Sequence, residues 1–357
     1  PSTYEKHLFK AMHNGSGITF SNYAPHGAKE KIVGNLEYII DTDNHTANAA
    51  NSVDLEAYQF RNKQNAAFTA ADGTKAEAWG GRTKVGNKVQ NNKLTVSGGT
   101  LTQAAYGGLA ENFKRDDHGN LKTTGDAEKN SLILNAGANT LNAYGAQVRT
   151  KSGSATDNTA TLNAGTVNGS LYGASLSAAG ATGSATKNKV EIKGGSVTGN
   201  VYGSHIADGA ATGNATASTV TVTGGTVAGD IYAGFTNGAG ATTDNTVSLG
   251  DGEHSLAAGT NIAGTIFGGN KAADTGNTLT VNTNATAGNI KNFENLRFNI
   301  NSNALNPAHP MLTLNAGTAT NNLDWGKLTV DATKFNSTIS TYQAYNLTLM
   351  QNAAGID

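Results

Sequence analysis

Side chains with the means to do chemistry are sparse in this chain of 357 residues, and most of them recur at regular intervals. There is no cysteine, which excludes a disulfide scaffold and any Cys-ligated zinc or iron–sulfur site. Four of the eight histidines, His7, His13, His26 and His45, lie near the start at spacings of 6, 13 and 19, which match no standard metal site. No Gly-Asp-Ser-Gly or Gly-x-Ser-x-Gly nucleophile loop occurs; Gly229 and Asp230 are followed by Ile231. Phosphate-cradling glycine loops are absent. A calcium nonapeptide fails too, because Gly224 and Gly225 are followed by Thr226 and Val227. No catalytic residue, metal ligand or cofactor is assigned from these patterns. Two features remain as binding candidates. One is an aromatic column, Trp79, Tyr106, Tyr144, Tyr172, Tyr202, Tyr232 and Phe267, with steps of 27, 38, 28, 30, 30 and 35 residues. The other is a charged stretch, ENFKRDDHGNLKTTGDAEK (residues 111–129), carrying Arg115, Asp116, Asp117 and His118.

The elements that must position these residues come from an internal repeat. The phrase Asn-x-apolar-x-apolar, a glycine pair or Ala-Gly, then Gly-x-apolar-Tyr-Gly recurs about every 28–30 residues. Its cleanest copies are NKVEIKGGSVTGNVYGS from Asn188 and STVTVTGGTVAGDIYAG from Ser218. Val190 and Ile192 alternate with Lys189, Glu191 and Lys193, the period-two pattern of a half-buried strand. Gly-Gly then marks a turn, and Val227, Gly229 and Ile231 continue the alternation along a second strand. The tail of each unit, such as ADGAATGNATA from Ala207, has no large apolar residue and reads as a loop or a thin third side. Such a unit cannot bury a face alone, but stacked copies can. The units are too short for four-stranded propeller blades. The pattern predicts an all-β fold, a right-handed parallel β-helix of about 12 rungs with a rise of about 4.8 Å each, on the order of 60 Å long.

Stacking in register explains the composition. Only 14% of residues are charged and glycine fills 45 positions, about 13%, against roughly 25% and 7% in ordinary domains. Like charges repel along a ladder of identical residues, whereas Asn and Thr hydrogen-bond along it. A net charge of −1 gives no electrostatic case for binding nucleic acid. No apolar run approaches a membrane helix.

The first 130 residues hold 29 of the 51 charges. Residues 1–76 are expected to form an N-terminal cap with irregular first coils, residues 77–290 the regular repeats, and residues 291–357 further coils with larger side chains. Pro1 in place of Met is expected to follow a removed signal peptide, and the strong final strand to lead into a longer protein.

The repeats at residues 188–204 and 218–234 above all resemble the passenger domains of type V bacterial autotransporters. The resemblance spans about residues 79–300, and residues 292–357 are similar to the stretch leading toward that family's C-terminal folding module. It implies export, display at the bacterial cell surface and an outer-membrane barrel outside this chain, which would be its only link to a membrane.

Such repeats say little about activity, since passengers include adhesins, proteases and esterases. The leading expectation is a non-catalytic adhesin that binds a host or bacterial surface ligand, glycan or protein, or a second copy of itself. Alternatives are a polysaccharide-acting enzyme, marked by two close carboxylates beside a basic residue, or a passive stalk. Asp208, Asp230 and Asp244 lie in consecutive coils at different phases and are not expected to cluster. For Tyr106, Tyr144, Tyr172, Tyr202 and Tyr232 two arrangements are open: an exposed edge offered to a ligand, or a packed structural stack.

Overall fold

One coil shows how the repeat becomes structure. Ala185–Thr186 forms a short strand, and Lys187 turns the chain through a positive φ of 56°. Asn188 follows at the corner, then the strand Lys189–Ile192, with Val190 and Ile192 fully buried and Lys189 and Glu191 half-exposed. Gly195 (φ 76°) makes the next turn. Ser196–Val197 and Val201–Ile206 complete the coil before Ala215–Thr216 opens the next. Each segment pairs in parallel and in register with its counterpart in the following coil: Ala185 with Ala215, Val190 with Val220, Tyr202 with Tyr232.

The computed structural model describes residues 18–19, 35–36, 38–39, 59–60, 65–83, 86, 88–113, 118, 122–316, 327–335 and 346–356. From residue 65 onward the described residues form a parallel β-solenoid with three sheets, of ten, thirteen and five strands. Of the loop and the thin third side open for the Ala-rich tails, the five-strand sheet is the second. The ten-strand sheet counts ten coils among the described residues, a stack about 45 Å long at about 4.8 Å per rung. Parallel pairing already includes Asn65–Thr69, so the boundary expected at residue 77 falls inside the first described coil. Further toward the start, Ile18–Thr19 pairs with Asn35–Leu36 and Tyr38–Ile39 with Gln59–Phe60, both antiparallel.

The core runs the length of the stack as columns. Leu94, Leu132, Ala160, Val190, Val220, Val247, Leu279 and Leu296 lie in register along the ten-strand sheet and are buried. Burying each Leu, Ile or Val contributes about 1.5–3 kcal/mol. The main core lies between this sheet and the first half of the thirteen-strand sheet, where Val201 and Ile231 belong to it. A second, smaller core of Ala127, Ala155, Ala185 and Ala215 packs under Val148, Leu176 and Ile206 of the second half. The strand passes from one core to the other at a glycine column. A methyl group on Gly145 or Gly173 would lie 2.4 Å from the carbonyl oxygen of the next coil's glycine.

A buried amide ladder seals the corner between the five- and ten-strand sheets. Asn130 donates its backbone N–H and Nδ2 to Asn158 Oδ1, at 3.0 and 2.9 Å. Asn158 repeats both bonds toward Asn188 Oδ1 at 3.0 Å each. Asn245 repeats them toward Asn277. Spare amide hydrogens go to backbone carbonyls, as from Asn158 to Ala127 at 3.0 Å. The residue before each member takes a positive φ: Asn91, Lys129, Asp157, Lys187, Ala217, Asp244 and Gly276. Ser218 breaks the run, and the break is compensated. Gly108 and Gly234 leave room for Asn130 and Asn245, whereas Ser218 meets Ser204, whose hydroxyl lies 2.6 Å from its own and accepts from Asn188 at 2.9 Å.

Candidate functional site

The aromatic column is a continuous stack on the outer side of the thirteen-strand sheet. Rings from Tyr106 through Tyr144, Tyr172, Tyr202 and Tyr232 to Phe267 lie with centroids 4.5–5.5 Å apart and planes within 12°. A small residue follows each tyrosine: glycine after Tyr106, Tyr144, Tyr172 and Tyr202, and Ala233 after Tyr232. The pairing skips this position, so Tyr202 and His205, three apart, meet on the outer side. That is why the tyrosines are covered: Tyr106, Tyr144 and Tyr202 are buried, while Tyr172 and Tyr232 are half-buried. Of the two arrangements open from sequence, the rings adopt the packed one. Each ring face is occupied by its neighbour, so a sugar could meet only ring edges. The hydroxyls are engaged as well. Tyr202 OH accepts from Asn200 Nδ2 at 2.9 Å, Tyr232 OH donates to Asp230 at 3.2 Å, and Tyr106 OH donates to Glu77 at 3.2 Å. Burial pushes the hydroxyls of Tyr106, Tyr144 and Tyr232 well above the usual phenol range.

At its N-terminal end the stack is clamped by charge. Glu111 accepts from Arg82 Nε at 2.7 Å and from Arg149 Nη1 at 2.8 Å, its side chain only 5% exposed. Arg149 also donates to Tyr106 OH at 2.9 Å and to Gln147 at 2.9 Å, and approaches Glu77 at 3.9 Å. The Arg82 guanidinium sits 5.0 Å from the Trp79 ring centroid and that of Arg149 5.7 Å from Tyr106. Two carboxylates beside basic groups are what an enzyme would need. Here both Glu111 oxygens are taken by guanidinium groups, and Glu77 takes a tyrosine hydroxyl. The cluster therefore fastens three coils together at the foot of the 111–129 insertion. Sequence reading missed it because its members are 29 and 38 residues apart, across a coil of unequal length.

Toward the other end lies a Ser–His pair. Ser175 Oγ is 3.1 Å from His205 Nδ1, and the imidazole packs on Phe235 at 5.2 Å and against Tyr202 at 4.6 Å. This aromatic enclosure strips water from the ring and lowers its pKa to about 4, so it is neutral at pH 7. Ser175 is itself buried.

The remaining sequence candidates are dispersed. His118 is exposed, whereas Arg115, Asp116 and Asp117 lie outside the described residues, as do His7, His13, His26 and His45. Asp208 accepts backbone N–H bonds from Gly180 and Ala210, Asp230 from Thr265, and Asp244 holds a corner with φ 60°. Among the described residues no three His, Asp or Glu side chains are grouped to hold a metal ion.

Comparison of the chain with family models found no match, and comparisons with curated proteins and with solved structures found none either.

Proposed function

We propose that the chain is the exported passenger of a type V bacterial autotransporter and serves as a non-catalytic adhesin at the bacterial cell surface. The observation that carries this reading is the in-register repetition of polar side chains along the outer faces. Asn163 Nδ2 donates to Asn135 Oδ1 at 3.0 Å, and Asn135 Nδ2 to Ser97 at 3.1 Å, in one exposed column. Thr219, Thr246 and Thr278, with Thr221, Ser248 and Thr280, form two half-exposed columns on the ten-strand sheet. A ligand or a second copy that meets one rung meets equivalent groups at about 4.8 Å intervals, and weak contacts then add through multivalency. A stack of parallel coils with few charges favours presentation of a surface over turnover of a substrate. The commitment of Glu111 and Glu77 to arginine and tyrosine supports the same reading.

Beads coated with the purified chain test it, with bare beads as the reference. Clumping of coated beads, or their retention on epithelial or bacterial cells, is the expected result. Coated beads that stay dispersed and wash off every cell surface as bare beads do would sink the proposal.

A further inference from the structure

An interruption of the regular coils lies near residues 250–260, and it borders a cavity. Residues 250–252 leave the corner after the strand Thr246–Leu249, and the chain returns only at Asn261–Gly269. Between this excursion and the strands Asn295–Asn301 and Leu328–Lys334 lies a cavity of about 170 Å³. Its wall includes Asp251, Asn282, Asn299, Asp331 and Lys334, with Ile300 as the apolar member. A cavity of roughly 150 Å³ accepts one six-membered ring.

The groups around it are held in place yet keep hydrogen-bonding capacity. Asn299 donates Nδ2 to Asn282 Oδ1 at 2.7 Å, and its own Oδ1 takes no bond from the described residues. Asp331 Oδ1 accepts the Thr333 N–H and hydroxyl at 2.9 and 2.7 Å, and its Oδ2 takes no hydrogen bond from the described residues. Asp251 is fixed by the backbone N–H groups of Glu253 and His254 and by His254 Nδ1 at 2.9 Å. Lys334 is tied to Glu253 through one of its three protons. Acceptors and donors thus both line this space, beside an apolar side chain. Asp251, Glu253 and Asp331 are offset by Lys334, by Arg297, whose charge acts on Asp331, and by His254 on Asp251. No strong charge of either sign is offered, so a neutral ligand is favoured.

We propose that this cavity binds a single neutral pyranose unit, with Asp331 and Asn299 accepting from its hydroxyls and Lys334 donating to them. It supplies a ligand class for the adhesive reading and rests on that reading for the setting in which the sugar is met. The same corner column elsewhere, at Asn135 and Asn163, carries an exposed amide-to-amide bond without an excursion beside it.

Saturation-transfer NMR on the purified chain, with a chelator present, tests the site. The probes are the methyl glycosides of glucose, galactose, mannose and N-acetylglucosamine, each at about 5 mM, the regime of single-ring affinities. At least one is expected to take up saturation. Asp331→Ala and Asn299→Ala are each expected to weaken it about tenfold, as loss of a hydrogen bond to a fixed polar group does. Asn163→Ala, on the same column but away from the cavity, is expected to leave it unchanged. Asp331→Asn keeps the shape and guards against a folding artefact; it too is expected to weaken binding. Absence of saturation with all four glycosides, or equal affinity in the Asp331 and Asn299 variants, overturns the site. Bead clumping that persists without glycoside binding removes the cavity and leaves the adhesive reading standing. Glycoside binding without bead adhesion does the reverse.

Discussion

Replacing Asn158 by alanine tests whether the buried amide ladder holds the coils together. Asn158 is fully buried and makes four side-chain hydrogen bonds: two accepted from Asn130, one donated to Asn188 and one to the Ala127 carbonyl. Each is worth about 1 kcal/mol net, and the stranded Asn130 N–H adds a desolvation cost of about 1–3 kcal/mol. Some of the loss is recovered, because Asn130 Nδ2 keeps its bond to the Val89 carbonyl at 2.9 Å. The expected cost is therefore about 3–5 kcal/mol. Asn163→Ala removes one exposed side-chain bond and is expected to cost no more than about 0.5 kcal/mol. Solenoids unfold with limited cooperativity, so the sharper readout is native-state hydrogen exchange at the Asn130 amide, alongside denaturant unfolding. Faster exchange at Asn130 and its neighbouring coils in Asn158→Ala, with Asn163→Ala unchanged, is expected. A cost below about 1 kcal/mol with unaltered protection at Asn130 would refute the ladder's role.

Other consequences are equally specific. Gly145→Ala places a methyl group 2.4 Å from the Gly173 carbonyl oxygen and 2.7 Å from Thr159 backbone atoms, so a loss of about 2–3 kcal/mol by denaturant unfolding is expected, against a near-neutral Gly209→Ala, where the space is open. The His205 pKa, lowered to about 4 by burial, means the unfolded chain binds this proton first. Its contribution to stability is complete above about pH 6.5 and is lost as the pH falls toward 4; an NMR titration of His205 with a midpoint near 6.5 would contradict the enclosure. Glu111→Ala strands two guanidinium groups, one of them partly exposed. A loss of about 2 kcal/mol and a change in Trp79 fluorescence are expected, and unaltered stability would show that the clamp is dispensable.

The sequence already contained the coil: alternation at Val190 and Ile192, the glycine turn and the aromatic step were enough to stack one unit on the next. The corner asparagines were visible as the first letter of all these repeats except the one at Ser218, but not their burial. The turn that buries them uses Lys129, Asp157, Lys187 and Ala217 at positive φ, and Lys and Ala carry no local preference for that conformation. Packing of the whole stack imposes it. The placing of the tyrosines was ambiguous for a related reason. Simple parity sends Tyr202 outward and Gly203 inward, whereas the pairing skips Gly203 and His205 also lies outward beside Tyr202. The Arg82–Glu111–Arg149 clamp and the cavity near Asp251 depend on coils of unequal length, so no fixed spacing announces them.

In-register stacking is the claim on which the rest depends, and the absence of cysteine makes it directly measurable. Spin labels on cysteine introduced at Thr280 and, in turn, at Thr161, Ile133 and Thr95 occupy one column of the ten-strand sheet, four, five and six rungs apart. Pulsed dipolar spectroscopy is expected to give separations of about 19, 24 and 29 Å, a constant increment of about 4.8 Å per coil. Distances that do not grow evenly with coil number would contradict the solenoid.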